Sequence, residues 1–335
     1  MVKPVIKMLA SMISHMPLHY VWRDSGITQK HGFDLVVHVS NVKIKGQPFV
    51  PMKGREKKLL DGTYDFLSGL HHVPFYARAR GDKRFVYLAQ AQNDWDDQVI
   101  VASDVQSPKD LEGKRFIVTD WDTCVYGNLK HSLKLAGVDW EKIDFINGEI
   151  DGDLASKVAV QRLAEGEAAG AIVDPPFDLR AKKLGMGTLG LPRIPVIHNI
   201  TICSNIEWVR ENEETTVPFL LSMIDAIYFF KTNKSKACEI LEKNYAPLVD
   251  LEGDDEIEHL WDLWAKLLSP KPFPHPLAVW NVYDLDIAHD PKANFIGPFE
   301  IWDTSYLRAI DDSGYINDLY GGPKAAANPE INPVI

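Results

Sequence analysis

Cysteine is scarce in this chain, with three residues in 335: Cys124, Cys203 and Cys238. Three scattered thiols cannot build a disulfide framework or a cysteine-rich zinc site, and an odd number of them suits a reducing compartment. Long apolar runs are lacking too. No stretch approaches the roughly 18–20 apolar residues of a membrane-spanning helix, so membrane insertion is not expected. Positive charge is in deficit, with 36 Lys and Arg against 47 Asp and Glu and a formal net charge of −11. That balance excludes nucleic acid as the main partner, because phosphate contacts need a basic surface. The apolar stretch near the start, residues 8–13, is broken by serine and lacks the basic lead and small-residue cleavage site of a secretory signal. The expectation is a cytoplasmic protein, or a periplasmic one if a signal has been removed ahead of Met1. Internal repeats and low-complexity tracts are also absent.

What is present is an alternation of apolar strands and amphipathic helices. A chain of this length exceeds one ordinary core and fits two α/β lobes. Strands are expected over residues 5–10, 33–40, 64–69 and 85–92, with helices over 12–26, 52–60 and 70–80 between them. This order implies a parallel sheet with helices on both faces. A second lobe begins near Gln98, with strands over 99–102, 115–119, 143–146 and 169–173 and helices over 124–136 and 157–165. Asp174-Pro175-Pro176 breaks the alternation and marks a crossing back between lobes. A strand over 194–204 follows. Helices are expected over 215–232, with Thr215 and Thr216 as caps and Pro218 in the first turn, and over 256–268 and 302–311. The division is residues 1–95 plus 195–335 for one lobe and 96–194 for the other. The ligand cleft lies between them.

Two local sequences carry a resemblance. Residues 107–115, Ser-Pro-Lys-Asp-Leu-Glu-Gly-Lys-Arg, are similar to the segment that opens the second lobe in the type II periplasmic-binding-protein superfamily. That group includes alkanesulfonate and thiamine-precursor binding proteins and aryl-sulfinate desulfinases. Residues 77–86, Ala-Arg-Ala-Arg-Gly-Asp-Lys-Arg-Phe-Val, resemble its cytoplasmic 4,5-dihydroxyphthalate decarboxylase branch, as does the Gly314-Tyr315-Ile316 helix end. The resemblance covers about residues 4–320. It implies a two-lobed α/β fold, each lobe a mostly parallel sheet flanked by helices, closing on a small anionic or aromatic molecule. The chain departs from the branch after its fourth strand. Residues 91–97, Ala-Gln-Asn-Asp-Trp-Asp-Asp, hold neither the arginines nor the histidine of the usual carboxylate clamp.

In open α/β sheets ligands bind beyond the carboxyl ends of the strands. That rule selects Ser11 and His15, then His71 and His72, then Asn93, Asp94 and Trp95. In the second lobe, Asp122 or Thr123 caps a helix whose first turn holds Cys124, where the resemblance implies Ser or Thr facing the cleft. A helix N-terminus stabilises thiolate, so Cys124 is a candidate nucleophile or proton donor, while packing is its plainer role. His71 or His72 can donate to a carboxylate or move a proton, and neighbours in sequence cannot both point the same way. Trp95, Trp121 and Phe177 offer aromatic walls or hinge packing. Asp174 orients polar ligand groups or caps a turn. His198 reads as a core histidine. Residues 53–58 read as a solvated basic face, and Arg78 and Arg80 as surface or lobe-packing charges. No metal is expected, because His15, His71, Cys124 and Asp174 lack a dedicated ligand spacing. No cofactor is expected, and a homodimer is left open.

Two functions remain. One is a cytoplasmic lyase of the decarboxylase type, with Cys124, His71 and His72 catalytic. The other is the solute-binding protein of an ABC-type uptake system, using the same cleft without chemistry.

Overall fold

The computed structural model describes residues 3–121, 123–149, 154–197 and 199–331. Among the described residues ten strands form two five-stranded sheets. They are β1 (Val5–Ala10), β2 (Asp34–Val39), β3 (Phe66–Ser68), β4 (Phe85–Gln90), β5 (Gln98–Val101), β6 (Arg115–Val118), β7 (Asp144–Asn147), β8 (Gly170–Val173), β9 (Gly187–Leu189) and β10 (Thr201–Asn205). The first sheet runs β2-β1-β3-β10-β4 and the second β7-β6-β8-β5-β9.

Each sheet is mixed rather than wholly parallel. β1 pairs in parallel with β2 and β3, while β10 lies antiparallel between β3 and β4. In the second sheet β6 is parallel to β7 and β8, and β5 is antiparallel to β8 and β9. The reversed strand in each case adjoins a crossing between the sheets. β5 follows the first crossing, residues 91–97, and β10 ends the second, so each enters its sheet from the opposite direction.

Residues 194–200 correct one expectation. They read as part of one long strand, yet only β10 pairs as one. The apolar character of this stretch has another cause. Ile194, Val196 and Ile197 are buried in the second lobe's core together with Ala278, Val279 and Val282 of a helix over Pro276–Leu285. The run is apolar because it threads between lobes, not because it sits in a sheet.

Helices cover both faces of the first sheet. Pro17–Asp24 and the long helix Glu213–Thr232 bury Trp22 and Phe219, and the Phe66 and Phe219 rings stack at 3.8 Å and 4°. Such a pair contributes about 1 kcal/mol beyond its area. Pro218 falls inside this helix, in its second turn rather than its first.

Away from the cleft the lobes are tied by charge. Arg180, on the second-lobe helix Phe177–Lys183, donates from Nε and Nη2 to the two carboxylate oxygens of Glu256, both at 2.7 Å. Glu256 opens the first-lobe helix Asp254–Leu267 and is buried. Bidentate geometry of this kind adds orientation to energy.

Candidate functional site: the cleft between the lobes

Between the carboxyl ends of β1 and β3 and the helix start after β6 lies a cavity of about 600 Å³. The first lobe contributes Ser11, His15, Arg55, His71 and His72. The second contributes Asp120, Cys124, Glu149 and Asp174, and Asp97 comes from the first crossing. Asp174 follows β8 directly and the chain stays in the second lobe through β9, so the return crossing lies beyond residue 189 and not at Asp174-Pro175-Pro176 as expected.

The first-lobe wall is built around one tight backbone approach. The Ser11 hydroxyl lies 2.6 Å from the Gly69 carbonyl and 2.8 Å from that of Ser68. Gly69 has φ +79°, and a Cβ there would collide with Ser11 Oγ. Only glycine satisfies both conditions. The Gly69 carbonyl also accepts from Arg55 Nη2 at 2.6 Å. Arg55 is buried, which overturns the reading of residues 53–58 as a wholly solvated face; Lys57 and Lys58 are exposed.

His71 and His72 precede the helix Val73–Ala79, with His72 at its N-cap. The helix is shorter than expected and leaves His71 outside it, while His72 stays at its edge with a helical backbone. They diverge. His71 Nδ1 reaches Cys124 Sγ at 3.3 Å, spanning the cleft from one lobe to the other. His72 turns to the Pro276–Leu285 helix, with Nε2 3.3 Å from the Val282 carbonyl and Nδ1 3.7 Å from Asp286. Cys124 is buried in a π turn over Thr123–Gly127 that runs into the helix Asn128–Leu135. The Asn128 side chain donates to the Cys124 carbonyl. A thiol and an imidazole at this separation can share or exchange a proton.

The floor holds the strongest charges. His15, in a 3-10 turn directly after β1, is 3.5 Å from Asp96 through Nδ1 and 3.4 Å from Asp174 through Nε2. Burial by itself disfavours its imidazolium. The hydrogen bond to Asp96 and the charges of Asp174, Asp96 and Asp97 prevail and push its pKa up to about 10. Asp97 is driven well above the usual carboxylate range by burial, then by the charges of Asp96 and Asp174. One carboxyl oxygen of Asp97 accepts from Trp95 Nε1 at 2.7 Å. One oxygen of Asp174 accepts from Ser156 Oγ at 2.9 Å.

No family model and no curated protein sequence matches the chain. Solved structures do. The periplasmic aliphatic sulphonate-binding protein SsuA from Escherichia coli is 13% identical, with TM-score 0.60 over 90% of this chain and 96% of its own. The periplasmic nitrate-binding protein NrtA from Synechocystis PCC 6803 is 11% identical, with TM-score 0.63 over 97% of this chain and 92% of its own. A cysteine-to-serine mutant of DSZB in complex with biphenyl-2-sulfinic acid is 11% identical, with TM-score 0.63 over 93% of this chain and 100% of its own. The chain has the type II periplasmic-binding-protein fold. Identities this low carry architecture and nothing finer.

In that fold, strand-end reasoning finds part of the cleft. Ser11, His15, His71, His72, Cys124 and Asp174 all line the cavity. Five other candidates lie elsewhere. Trp95 is buried in the second lobe's core and spends its indole N–H on Asp97. Phe177 packs behind β8 in a separate core cluster. Asn93 is tied to the Phe273 carbonyl and the His275 amide, and Asp94 borders a different, smaller pocket beside Arg193. Trp121 is partly exposed and bonds Asn147, outside the cavity lining. Asp122, the Thr123 side chain and His198 lie outside the described residues. The omissions are Arg55, Asp97, Asp120 and Glu149. Of these, two carried a signal: Asp97 as the third acid in a segment already suspected of crossing between lobes, and Asp120 as the first residue beyond the strand expected over 115–119. Among the described residues no helix is long and apolar enough to cross a membrane.

Proposed function

We propose that this chain is a solute-binding protein that closes its lobes on a small polar organic acid and serves an uptake system. The observation that carries the reading is the cavity itself, a space of about 600 Å³ lined from both lobes and from the first crossing. That volume suits a molecule larger than a simple inorganic anion. Arg55, His71 and His72 on one wall supply donors for an acidic group. Asp120 and Glu149 on the other supply acceptors, so the solute that fits also carries hydroxyl or amino hydrogens. The sulphonate- and nitrate-binding neighbours support an oxyanion in this cleft, and with it a periplasmic rather than a cytoplasmic setting.

A second reading rests on the His71–Cys124 contact at 3.3 Å. In a decarboxylase-like lyase, the substrate carboxylate leaves as CO2 and its bonding electrons stay on carbon. The Cys124 S–H then protonates that carbon, and the thiolate recovers a proton through His71.

One experiment separates the two. A thermal-shift screen of aromatic and aliphatic organic acids identifies ligands, and each is then incubated with the protein and analysed for product. Recovery of the bound acid unchanged supports the solute-binding protein. CO2 release that vanishes in Cys124→Ser would replace it with the lyase.

A further inference from the structure

We infer that the floor of the cleft is a site for one divalent metal ion, held by His15, Asp97 and Asp174. Among the described residues these three form a group in which one ligand atom from each lies within 4.8 Å of the others. They come from three separate places in the chain: the turn after β1, the first crossing, and the end of β8. Nothing in local secondary structure would assemble them, so their convergence is a product of the closed fold.

Three features raise this group above a chance gathering of acids. The first is spacing. His15 Nε2 stands 3.4 Å from Asp174 Oδ1, longer than an ordinary N–H···O bond. Ligands at roughly 2.0–2.1 Å from a tetrahedral ion are separated by roughly 3.3–3.4 Å, so this edge already has the right length. The second is orientation from behind. Asp96 stands at the far nitrogen of His15, Trp95 Nε1 bonds one oxygen of Asp97, and Ser156 Oγ bonds one oxygen of Asp174. Metal-bound histidines and carboxylates are usually held this way, with a carboxylate on the imidazole nitrogen opposite the ion. The third is access. All three residues line the cavity, so an ion there would face the space where a solute is held and keep a coordination position open toward it.

One imidazole and two carboxylates suit a borderline or hard ion such as Zn2+ or Mn2+ rather than a thiophilic one. Along the sequence no dedicated ligand spacing exists, which is the basis of the expectation of no metal. Here the ligands are spaced through the fold instead.

The inference is tested without any organic solute, so its failure and that of the solute reading are separate results. The full chain is stripped with chelator, dialysed and titrated calorimetrically with Zn2+ and with Mn2+. One saturable site is expected for at least one of them, with a raised thermal midpoint in its presence. Asp174→Asn should weaken binding at least about 100-fold, its metal-free circular dichroism spectrum matching that of the parent at a temperature below both unfolding transitions. Asp96→Asn, acting through the imidazole, should weaken it about 10–100-fold with the stoichiometry kept. Absence of a saturable site in the parent chain overturns the inference, and so does undiminished binding by Asp174→Asn.

Discussion

The floor of the cleft around His15 and the interior around His19 lie four residues apart in sequence, and both histidines are fully enclosed. At His19 burial acts alone and drives the pKa down to about 3, so the ring is neutral. At His15 the same burial is overcome by Asp96, Asp174 and Asp97, and the pKa rises to about 10. Burial therefore does not set the charge of a histidine here. The surrounding carboxylates do: Asp96 and Asp97 on the first crossing and Asp174 at the end of β8 meet at His15, and none reaches His19. His19 meets instead the Ser68 hydroxyl at 3.0 Å, and Ser68 donates onward to the Asn199 carbonyl at 2.8 Å. With that hydroxyl hydrogen committed, Ser68 Oγ accepts, and His19 carries its proton on Nε2.

The comparison is broken most directly at His15. In metal-free buffer, His15→Leu leaves Asp96, Asp97 and Asp174 facing one another without a cation. Removing one partner from a buried charge set costs about 3–5 kcal/mol. His19→Leu removes a single neutral hydrogen bond and should cost about 1–2 kcal/mol, since the Ser68 oxygen loses its donor. Denaturant midpoints for the two variants, measured side by side, check this. Equal losses would mean that enclosure, common to both positions, sets the cost and that the charge partners add nothing.

The same contrast explains what could be read from the sequence. The strand–helix alternation, the segment over 107–115 and the rule that ligands sit beyond strand ends depend on local pattern, and they located Ser11, His15, His71 and Cys124. Side chains whose role is set by a distant backbone were not legible. Arg55 sits in a lysine-rich stretch and is indistinguishable from its neighbours until the chain folds back to offer the Gly69 carbonyl. Trp95 looks like a ligand wall until its indole N–H is found on Asp97 two residues on. Phe177 follows a strand end, yet its ring packs behind the sheet with Ile100 and Val173 rather than in front of it. An aromatic residue near a strand end is ambiguous because the sheet has two faces. A polar residue in the first turn after a strand is less so, because burying it behind the sheet would leave it without partners.

A pH titration sharpens the comparison at the next level. Between the folded pKa of about 3 and the ordinary value of 6.5 for His19, the unfolded chain binds more protons than the folded one. Stability from this group is therefore present above pH 6.5 and is lost as pH falls through that window. At roughly 1.4 kcal/mol per unit, about 2 kcal/mol should be gone by pH 5. Unfolding midpoints of the parent and of His19→Asn, compared from pH 7 to pH 5, isolate this share. An equally steep fall in His19→Asn would assign the acid sensitivity to other groups.

The smallest effect decides between burial and hydrogen bonding as the cause of the neutral ring. Ser68→Ala removes the oxygen that accepts from His19 and the hydroxyl that donates to Asn199. Losing these bonds in the interior should cost about 1 kcal/mol at neutral pH, and a hydroxyl retained in Ser68→Thr should recover part of it. If burial holds the ring neutral, Ser68→Ala keeps the same loss of stability between pH 7 and pH 5 as the parent. The whole curve is simply displaced downward. A flattened acid limb in Ser68→Ala would instead make the hydroxyl the controlling partner, and His15 and His19 would then differ only in which side chain faces the ring.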